Sequence, residues 1–223
     1  MSIKRPQTPL DTFDLSFPES KAFDLVGFGF NSVDLVCVVD RYPACGAKSE
    51  ILQFERLPGG QAATAVIFAS RMGLNVRYIG KTGGDDFGRM SLASLRSENI
   101  DISNVFVEEN ANNQLSIITI DRSTGERTVL WKMDGRLNFM EGELKRDAVC
   151  AGKIFLFDGC DPETALRASG WCREEGIPVV ADLDHVVAHC GELLNNVDFL
   201  IADERFPSEF TGVEEPVRAL REL

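Results

Sequence analysis

The segment Pro58-Gly59-Gly60-Gln61-Ala62-Ala63-Thr64-Ala65 leads, through an apolar run, to Tyr78-Ile79-Gly80-Lys81-Thr82-Gly83-Gly84-Asp85-Asp86-Phe87-Gly88. Small and apolar residues from Ala62 to Met72 predict a helix buried against a sheet, and Gly73 marks its end. A short strand at 76–79 and a second helix at 86–99 follow. Glycines let backbone N–H groups approach a ligand, and a helix start adds unpaired donors and partial positive charge. The glycine pair therefore predicts a loop that binds a sugar, a carboxylate or a phosphate.

The rest of the chain alternates between strand and helix patterns. Apolar and β-branched runs predict strands at 23–29, 33–39, 100–107, 153–157, 177–181 and 198–202, and helical spacing predicts helices at 163–175 and 187–195. Such alternation implies an α/β fold with a mostly parallel sheet and helices on both faces. Residues 48–56 form an alternating strand with one solvated face, and 114–120 with 127–132 form a hairpin. These two segments, at about 46–57 and 112–133, are predicted to stand apart from the main sheet as a lid.

Acidic residues follow several of the predicted strands. Asp158 comes after Phe157, Asp182 after Ala181, and Asp203 with Glu204 after Ala202. In open parallel sheets the ligand crevice lies beyond the carboxyl ends of the strands, so these acids are candidate site residues. Each could instead be a helix N-cap.

Composition limits the class of protein. The 223 residues have 44% hydrophobic and 26% charged content and a net charge of -12, which is typical of one globular domain over 23–223. The acidic balance argues against nucleic-acid and anionic-membrane partners. Six scattered cysteines predict reduced thiols and a cytoplasmic location. Residues 1–22 contain no continuous apolar run and are predicted to be a disordered or strap-like tail.

Five other types of site find little support in the sequence. Gly27-Phe28-Gly29-Phe30-Asn31-Ser32 matches a dinucleotide fingerprint, but a strand pattern follows it instead of a helix. Asp86-Phe87-Gly88 lacks the other protein-kinase segments, and there is no Walker A sequence and no Gly-x-Ser-x-Gly elbow. His185 and His189 are spaced as zinc ligands are in a helix, but no Glu lies between them, which favours a role on a helix face or as an N-cap.

The glycine pair, Gly73 and the Gly84-Asp85-Asp86-Phe87-Gly88 segment together resemble the first signature of the ribokinase-like (PfkB) carbohydrate kinase family. Thr64 stands where that signature usually has Asn, and Gln61 where it often has Asn or Lys. Segments 39–43 and 125–130 are similar to the ketohexokinase-like branch. The resemblance implies ATP-dependent phosphorylation of a hydroxyl of a sugar or related polyol with Mg²⁺, under a lid that excludes water. It also suggests, by analogy, a homodimer formed through the lids.

The resemblance assigns roles to individual residues. The residues that would face the sugar are Asp34, Gly59, Gly60, Gln61 and Thr64, with Asp158 at the far rim of the pocket. Asp34 could instead be a turn residue in a connection. Asp203 and Glu204, with Asp182 nearby, would lie beside the phosphates and the magnesium ion, although the family's Asn-Glu-x-Glu segment is changed here at Asp203 and Phe206.

The family's Gly-Ala-Gly-Asp segment, which supplies the catalytic base and the anion hole, has no match in this sequence. The base is therefore expected beyond Leu223, and the chain is expected to be a fragment or a truncated product with little activity of its own. Two alternatives stay open. One is a non-catalytic sugar-binding or regulatory module, and the other is a nucleoside kinase of the same fold.

Overall fold

The computed structural model describes residues 16–223, so residues 1–15 of the predicted tail lie outside the described residues. Its strands are β1 (Phe23–Phe28), β2 (Ser32–Val39), β3 (Ile51–Gly59), β4 (Val76–Gly83), β5 (Asp101–Glu108), β6 (Gln114–Asp121), β7 (Arg127–Lys132), β8 (Gly152–Asp158), β9 (Val179–Leu183) and β10 (Phe199–Ala202). The helices are α1 (Gln61–Arg71), α2 (Asp86–Ser97), α3 (Arg146–Val149), α4 (Pro162–Glu174), α5 (Cys190–Leu194), α6 (Phe206–Thr211) and α7 (Pro216–Glu222), with a 3₁₀ turn at Gly135–Leu137.

Six strands form a central sheet in the order β10-β9-β8-β1-β4-β5, and every neighbouring pair is parallel. This confirms the predicted α/β architecture. Alternate residues of β1 enter different apolar clusters, since Leu25 packs with α1 and Val26 packs with residues of α3, α4 and α5. Both faces of the sheet are therefore covered, as expected for parallel strands joined by helices.

The remaining strands form a second sheet, here called the small sheet, in the order β3-β2-β6-β7. The sequence predicted β3 and the β6–β7 hairpin as a separate unit, but it did not predict that β2 belongs to that unit. β2 pairs antiparallel with β3 and parallel with β6, so it lies in the middle of the small sheet. Asp34 is consequently a strand residue and not a turn residue in a connection.

Helix α1 packs tightly against the central sheet. A Cβ atom at Gly27 would lie 2.2 Å from Cγ1 of Val66, so glycine in β1 permits the close approach of α1. Gly73, with a φ of 89°, ends the helix as the sequence predicted. Asp85 is the N-cap of the next helix, α2, and its side chain accepts a hydrogen bond from the backbone N–H of Gly88.

Several local predictions were wrong in detail. All residues of β3 except Gly59 are exposed, so the strand does not bury one of its faces within this chain. The helix predicted at 187–195 is only α5, because His189 adopts a left-handed conformation with φ 57° immediately before it. The short helices α3 and α6 lacked a sufficient apolar repeat to be predicted. Within residues 16–223, no helix is long and apolar enough to cross a membrane.

Candidate functional site

A cavity of about 820 Å³ opens between the small sheet, α1 and the carboxyl ends of β8 and β9. Its size is within the range of small-molecule sites. The residues that line it are Phe30, Ser32, Asp34, Gly60, Gln61, Thr64, Ala65, Phe68, Gln114, Ser116, Ile118, Val129, Trp131, Met133, Gly159, Cys160, Asp182, Asp184 and His185. The structure thus brings five of the sequence-predicted site residues into one hollow: Asp34, Gly60, Gln61, Thr64 and Asp182.

The wall formed by the small sheet includes a row of three residues that are in register. Asp34 of β2 is in register with Ser116 of β6, and Ser116 is in register with Trp131 of β7. Side chains in register on neighbouring strands share a face of a sheet, and all three line the cavity. The small sheet therefore presents a carboxyl group, a hydroxyl group and an indole ring side by side.

Gly59 lies directly behind the carboxyl group of Asp34. A Cβ atom at Gly59 would be 2.2 Å from Oδ2 of Asp34, which is far inside van der Waals contact. The other carboxyl oxygen of Asp34, Oδ1, accepts a hydrogen bond of 3.0 Å from the hydroxyl of Ser32. Gly59 itself does not line the cavity, and its contribution is the space that it leaves for Asp34.

Gly60 brings the backbone of α1 against the segment that follows β1. Its φ is 98°, and an added Cβ would lie 2.3 Å from the carbonyl oxygen of Phe30. The helix start is less free to bind a ligand than the sequence suggested. The N–H of Ala62 donates to Oδ2 of Asp158, and the N–H of Ala63 donates to the carbonyl of Phe30.

Polar groups from α1 and β9 meet on the opposite wall. The amide of Gln61 donates to the backbone carbonyl of Asp182 at 3.4 Å, and Thr64 follows one turn later along the helix. Partial burial raises the pKa of the Asp182 carboxyl, and a hydrogen bond from Gln61 opposes that shift. Gln61 and Asp182 therefore join the glycine-pair loop to the end of the central sheet.

Asp158 was predicted at the rim of the pocket, and the structure corrects this position. Its side chain is fully buried and does not line the cavity. Its oxygens accept backbone hydrogen bonds from Phe30 at 2.8 Å, from Ala62 at 2.9 Å and from Cys160 at 3.0 Å. Burial raises its pKa to about 7 against the effect of these donors. Asp158 is thus a positioning residue that connects β8, α1 and the end of β1.

Asp203 and Glu204 also lie outside the cavity lining. The carboxyl group of Asp203 accepts hydrogen bonds from the backbone N–H of Arg205 at 3.0 Å and from its Nε at 3.1 Å, which lowers the pKa of Asp203. Phe206, at the changed position of the family segment, is buried in the core and stacks on Phe210. An aromatic ring in that environment cannot ligate a metal ion.

The two histidines are not placed together as metal ligands. Nδ1 of His185 lies 2.5 Å from Oδ1 of Asp184 at the cavity edge, whereas His189 pairs with Glu192 at 3.3 Å. In the part of the chain that the structure describes, no group of three His, Cys, Asp or Glu side chains could hold a metal ion. His189 does precede α5 as its N-cap residue, but its side chain makes no capping hydrogen bond.

Several lining residues were not predicted for this site. Phe68 belongs to the apolar run of α1, Cys160 follows β8, and Asp184 follows β9, whereas His185 was considered only as a zinc ligand. Only the strand register and the turn after β9 bring these side chains to the cavity, and no local motif marks them. Trp131 was included only as part of the hairpin predicted to close over the site.

A buried polar network connects the two sheets below the cavity. The amide of Asn31 donates to the hydroxyl of Tyr78 at 2.8 Å and to the carbonyl of Lys81 at 3.0 Å, and its oxygen accepts from Ser91 at 3.1 Å. Burial raises the pKa of Tyr78, whose hydroxyl donates to the carbonyl of Gly29. Asn113, immediately before β6, donates to the carbonyl of Asn31 and accepts from the N–H of Gly83.

Comparison with solved structures defines the fold. The chain superimposes on an Arabidopsis thaliana ribokinase complexed with ribose and ATP with a TM-score of 0.75 and 19% identity, covering 90% of this chain and 68% of that one. A fructokinase from Halothermothrix orenii gives a TM-score of 0.74 and 20% identity, covering 89% and 74%. The protein therefore has a ribokinase-like α/β fold.

Sequence comparison gives the family. Residues 24–222 match the pfkB family carbohydrate kinase profile, and the chain belongs to that family. It is 26% identical over 178 residues to 5-dehydro-2-deoxygluconokinase of Bacillus subtilis, covering 76% of this chain and 54% of the relative. It is 35% identical over 107 residues to fructokinase-1 of Zea mays, covering 48% and 32%. The chain thus spans about a third to about half of the length of these relatives.

Proposed function

We propose that the cavity binds a sugar or a related polyol and that the protein acts in ATP-dependent phosphorylation of a substrate hydroxyl. The observation that carries the proposal is the convergence of Asp34, from the small sheet, and Gly60, from the start of α1, on one cavity at the carboxyl ends of the strands. This is where ligands bind in open α/β sheets. Family membership supports the same reaction class.

The proposed roles follow from the chemistry of the lining groups. Asp34 accepts hydrogen bonds from substrate hydroxyls, and Gln61 and Thr64 offer donors and acceptors from α1. Trp131 and the rest of the small sheet would act as the lid. Exclusion of water on closure directs the phosphoryl group to the sugar instead of to water.

Magnesium would enter with ATP. Mg²⁺ is usually held by one or two carboxylates together with the substrate phosphates, and when bound it neutralises charge on those phosphates. Asp203 fits such a role because its pKa is lowered and its carboxyl group is partly exposed, and the neighbouring Glu204 is exposed. We propose these two residues, with Asp182 at the end of the adjacent strand β9, as the phosphate and metal vicinity.

The test is an assay of ATP turnover by the 223-residue chain with a panel of ketoses and aldoses. Binding of the same sugars is measured by calorimetry without nucleotide. Asp34→Asn is expected to weaken sugar binding by about tenfold or more, because a charged acceptor for hydroxyl groups is lost. Asp147→Asn, at an exposed position of α3, is the control and should leave binding unchanged. Robust turnover would contradict the expectation that the base lies beyond Leu223.

A non-catalytic sugar-binding or regulatory role is the second candidate. The burial of Phe206 favours it, since the position that would carry the last acid of the family segment is occupied by a core side chain. Sugar binding without ATP turnover supports this candidate.

The nucleoside-kinase alternative is tested by adding nucleosides to the panel. The aromatic side chains of Phe68 and Trp131 in the cavity wall could pack against the base of a nucleoside.

We also propose that two copies associate through their small sheets. The outer face of the small sheet carries the row Arg56, Leu35, Ile117 and Leu130, which faces away from the cavity row that contains Asp34. Phe54 and Leu130 are 54% and 61% exposed. A second copy would cover these apolar side chains.

The six cysteines carry free thiols, which supports the proposed cytoplasmic location.

A further inference from the structure

The cavity is lined by more acidic than basic side chains. Asp34, Asp182 and Asp184 line it from the small sheet and from the end of β9. Among the described residues that line it, His185 is the one ionisable base, and its ring nitrogen is already paired with Asp184. No Lys or Arg belongs to this lining, so the cavity offers no permanent positive charge to a ligand.

The uncharged groups do not compensate for this imbalance. Ser32, Thr64 and Ser116 contribute hydroxyls, and the hydroxyl of Ser32 is used by Asp34. One N–H of the Gln61 amide is used by the carbonyl of Asp182, so its other N–H, the amide of Gln114 and the indole N–H of Trp131 are the N–H donors that the uncharged side chains of the wall still offer. Acceptor oxygens therefore dominate the polar part of the cavity. A ligand that fits must supply hydrogen-bond donors.

Neutral sugars and sugar acids differ in this property. Each hydroxyl of a polyol can donate a hydrogen bond to a carboxyl group. A sugar acid replaces a terminal hydroxyl group by a carboxylate, which donates nothing and repels the acidic side chains. Moving a carboxylate from water into a partly enclosed site without a cationic partner carries a further desolvation cost. Charge repulsion of this kind is a common source of specificity.

We propose that the cavity selects uncharged polyols and rejects substrates that carry a carboxylate. This inference rests on the proposed function, because it concerns the substrate of the same site. The acids responsible are Asp34, Asp182 and Asp184, and Asp184 is the one whose charge can be changed with least effect on folding. Its side chain is 59% exposed, and its described partner is the neighbouring His185.

The experiment is calorimetric titration of the full chain with matched ligands. L-Sorbose and 5-keto-D-gluconate differ in that one terminal CH₂OH of the first is a carboxylate in the second, and D-glucitol and D-gluconate form a second such pair. D-Fructose and D-ribose extend the neutral set. We expect each acid to bind about tenfold or more weakly than its neutral partner. Raising the salt from about 0.05 M to about 0.5 M should narrow the gap by strengthening acid binding.

Asp184→Lys tests the origin of the selectivity. It should increase the affinity for 5-keto-D-gluconate by about tenfold relative to that for L-sorbose, because an attractive charge replaces a repulsive one. Asp147→Lys makes the same change in net charge at an exposed position of α3 and is the matched control. It should leave the ratio of the two affinities as it is in the unchanged protein.

The outcomes separate the inference from the proposed function. Equal affinities, or tighter binding of the sugar acids, would overturn the selectivity while leaving a sugar site in place. An increase of the same size in both lysine variants would also overturn it, since net charge and not the cavity would then be responsible. Failure of every neutral and acidic ligand to bind, with and without ATP, would reject the proposed function and the inference with it.

Discussion

Gly59 can be tested separately from the side chain that it supports. An added methyl group would lie 2.2 Å from Oδ2 of Asp34, so Gly59→Ala should displace that carboxyl group from the cavity wall. Alanine suits the strand conformation, and we therefore expect little loss of stability but about tenfold or more weaker sugar binding. Calorimetry with the best sugar of the panel measures the affinity, and urea unfolding measures the stability.

Gly135→Ala is the control for this substitution. Its added Cβ would meet nothing within 4 Å, and its backbone does not have a positive φ. Its affinity for the sugar should equal that of the unchanged protein. If Gly59→Ala also bound the sugar as tightly as the unchanged protein, the position of Asp34 would not matter for binding.

Asp158 gives a prediction about stability because each of its oxygens accepts backbone hydrogen bonds. In Asp158→Asn one oxygen becomes an NH₂ group, which faces at least one of the N–H groups of Phe30, Ala62 and Cys160. A buried donor left without an acceptor costs about 1 to 3 kcal/mol. We expect the free energy of unfolding in urea to fall by that amount, and Asp147→Asn should not change it.

The difference between the unchanged protein and Asp158→Asn should also depend on pH. Burial raises the pKa of Asp158 to about 7, above the usual 3.8, so the folded state holds the proton more tightly than the unfolded state. The stabilising contribution of this proton is complete below about pH 4 and is lost as the pH rises to about 7. The stability gap should therefore shrink between these pH values. A gap that widens with pH would show that the carboxyl group is ionised in the fold.

The sequence predicted those cavity-lining residues that belong to a local pattern, but it misplaced Asp158. Gly60, Gln61 and Thr64 lie in one loop and helix, and their approach to a cavity could be expected from the glycine pair alone. The position of Asp158 could not, because its burial depends on three backbone segments that meet only in the folded chain. The local sequence pattern of an acidic residue at the end of a strand is the same whether its side chain binds a ligand or accepts hydrogen bonds from the backbone of a loop.

At the scale of elements, the described connection between the two sheets relies on buried amides. Asn113 donates to the carbonyls of Asn31 and Gln114 and accepts from the N–H of Gly83. These bonds join the segment before β6 to the segment before β2 and to the end of β4. Because an unsatisfied buried polar group is costly, this network should fix the angle of the small sheet over the cavity.

Asn113→Ala should loosen that connection. We expect the free energy of unfolding to fall by about 1 to 3 kcal/mol, since backbone groups lose their partners in a buried site. The substitution should accelerate amide hydrogen exchange, measured by mass spectrometry, more in β2 and β6 than in β8 and β9. This difference is expected because the small sheet would then open locally without unfolding of the whole protein. Asn112→Ala is the matched control, since Asn112 is exposed. Equal acceleration in all four strands would mean that the network stabilises the whole fold and does not set the angle.

Element prediction succeeded where one period of apolar residues was maintained. The central strands and α1, α2 and α4 satisfy this condition, because their buried faces contact a continuous core. The 33–39 run is equally apolar, yet it pairs with β3 and β6 in the small sheet. The period of the apolar residues indicates that a segment is a strand and which of its residues are buried. The sheet to which the strand belongs depends on long-range pairing, which a local pattern does not contain.

The two sheets of the molecule differ in how their faces are covered. The central sheet is covered by helices on both faces, whereas the small sheet has the cavity on one face and exposed apolar side chains on the other. On β3, Phe54 is 54% exposed and lies on the outer face, since it is in register with Cys37, whereas Leu57 is in register with Asp34 on the cavity face. Exposed apolar rows on a sheet are unfavourable in a monomer, which is why we propose that a second copy covers the outer face.

Leu130→Glu tests this association at the scale of the molecule. Leu130 is 61% exposed on β7, in register with Ile117 on the outer face, and a carboxylate there would lose its hydration between two copies. We expect sedimentation velocity to show a dimer for the unchanged chain and a monomer for Leu130→Glu at micromolar concentration. Val217→Glu, on α7 and 56% exposed, adds the same charge away from the small sheet and should remain dimeric. Since Trp131 follows Leu130 on the cavity face, the monomeric variant should also bind the sugar more weakly if association steadies the lid. A monomer for the unchanged chain, or a dimer for Leu130→Glu, would exclude the small sheet as the interface.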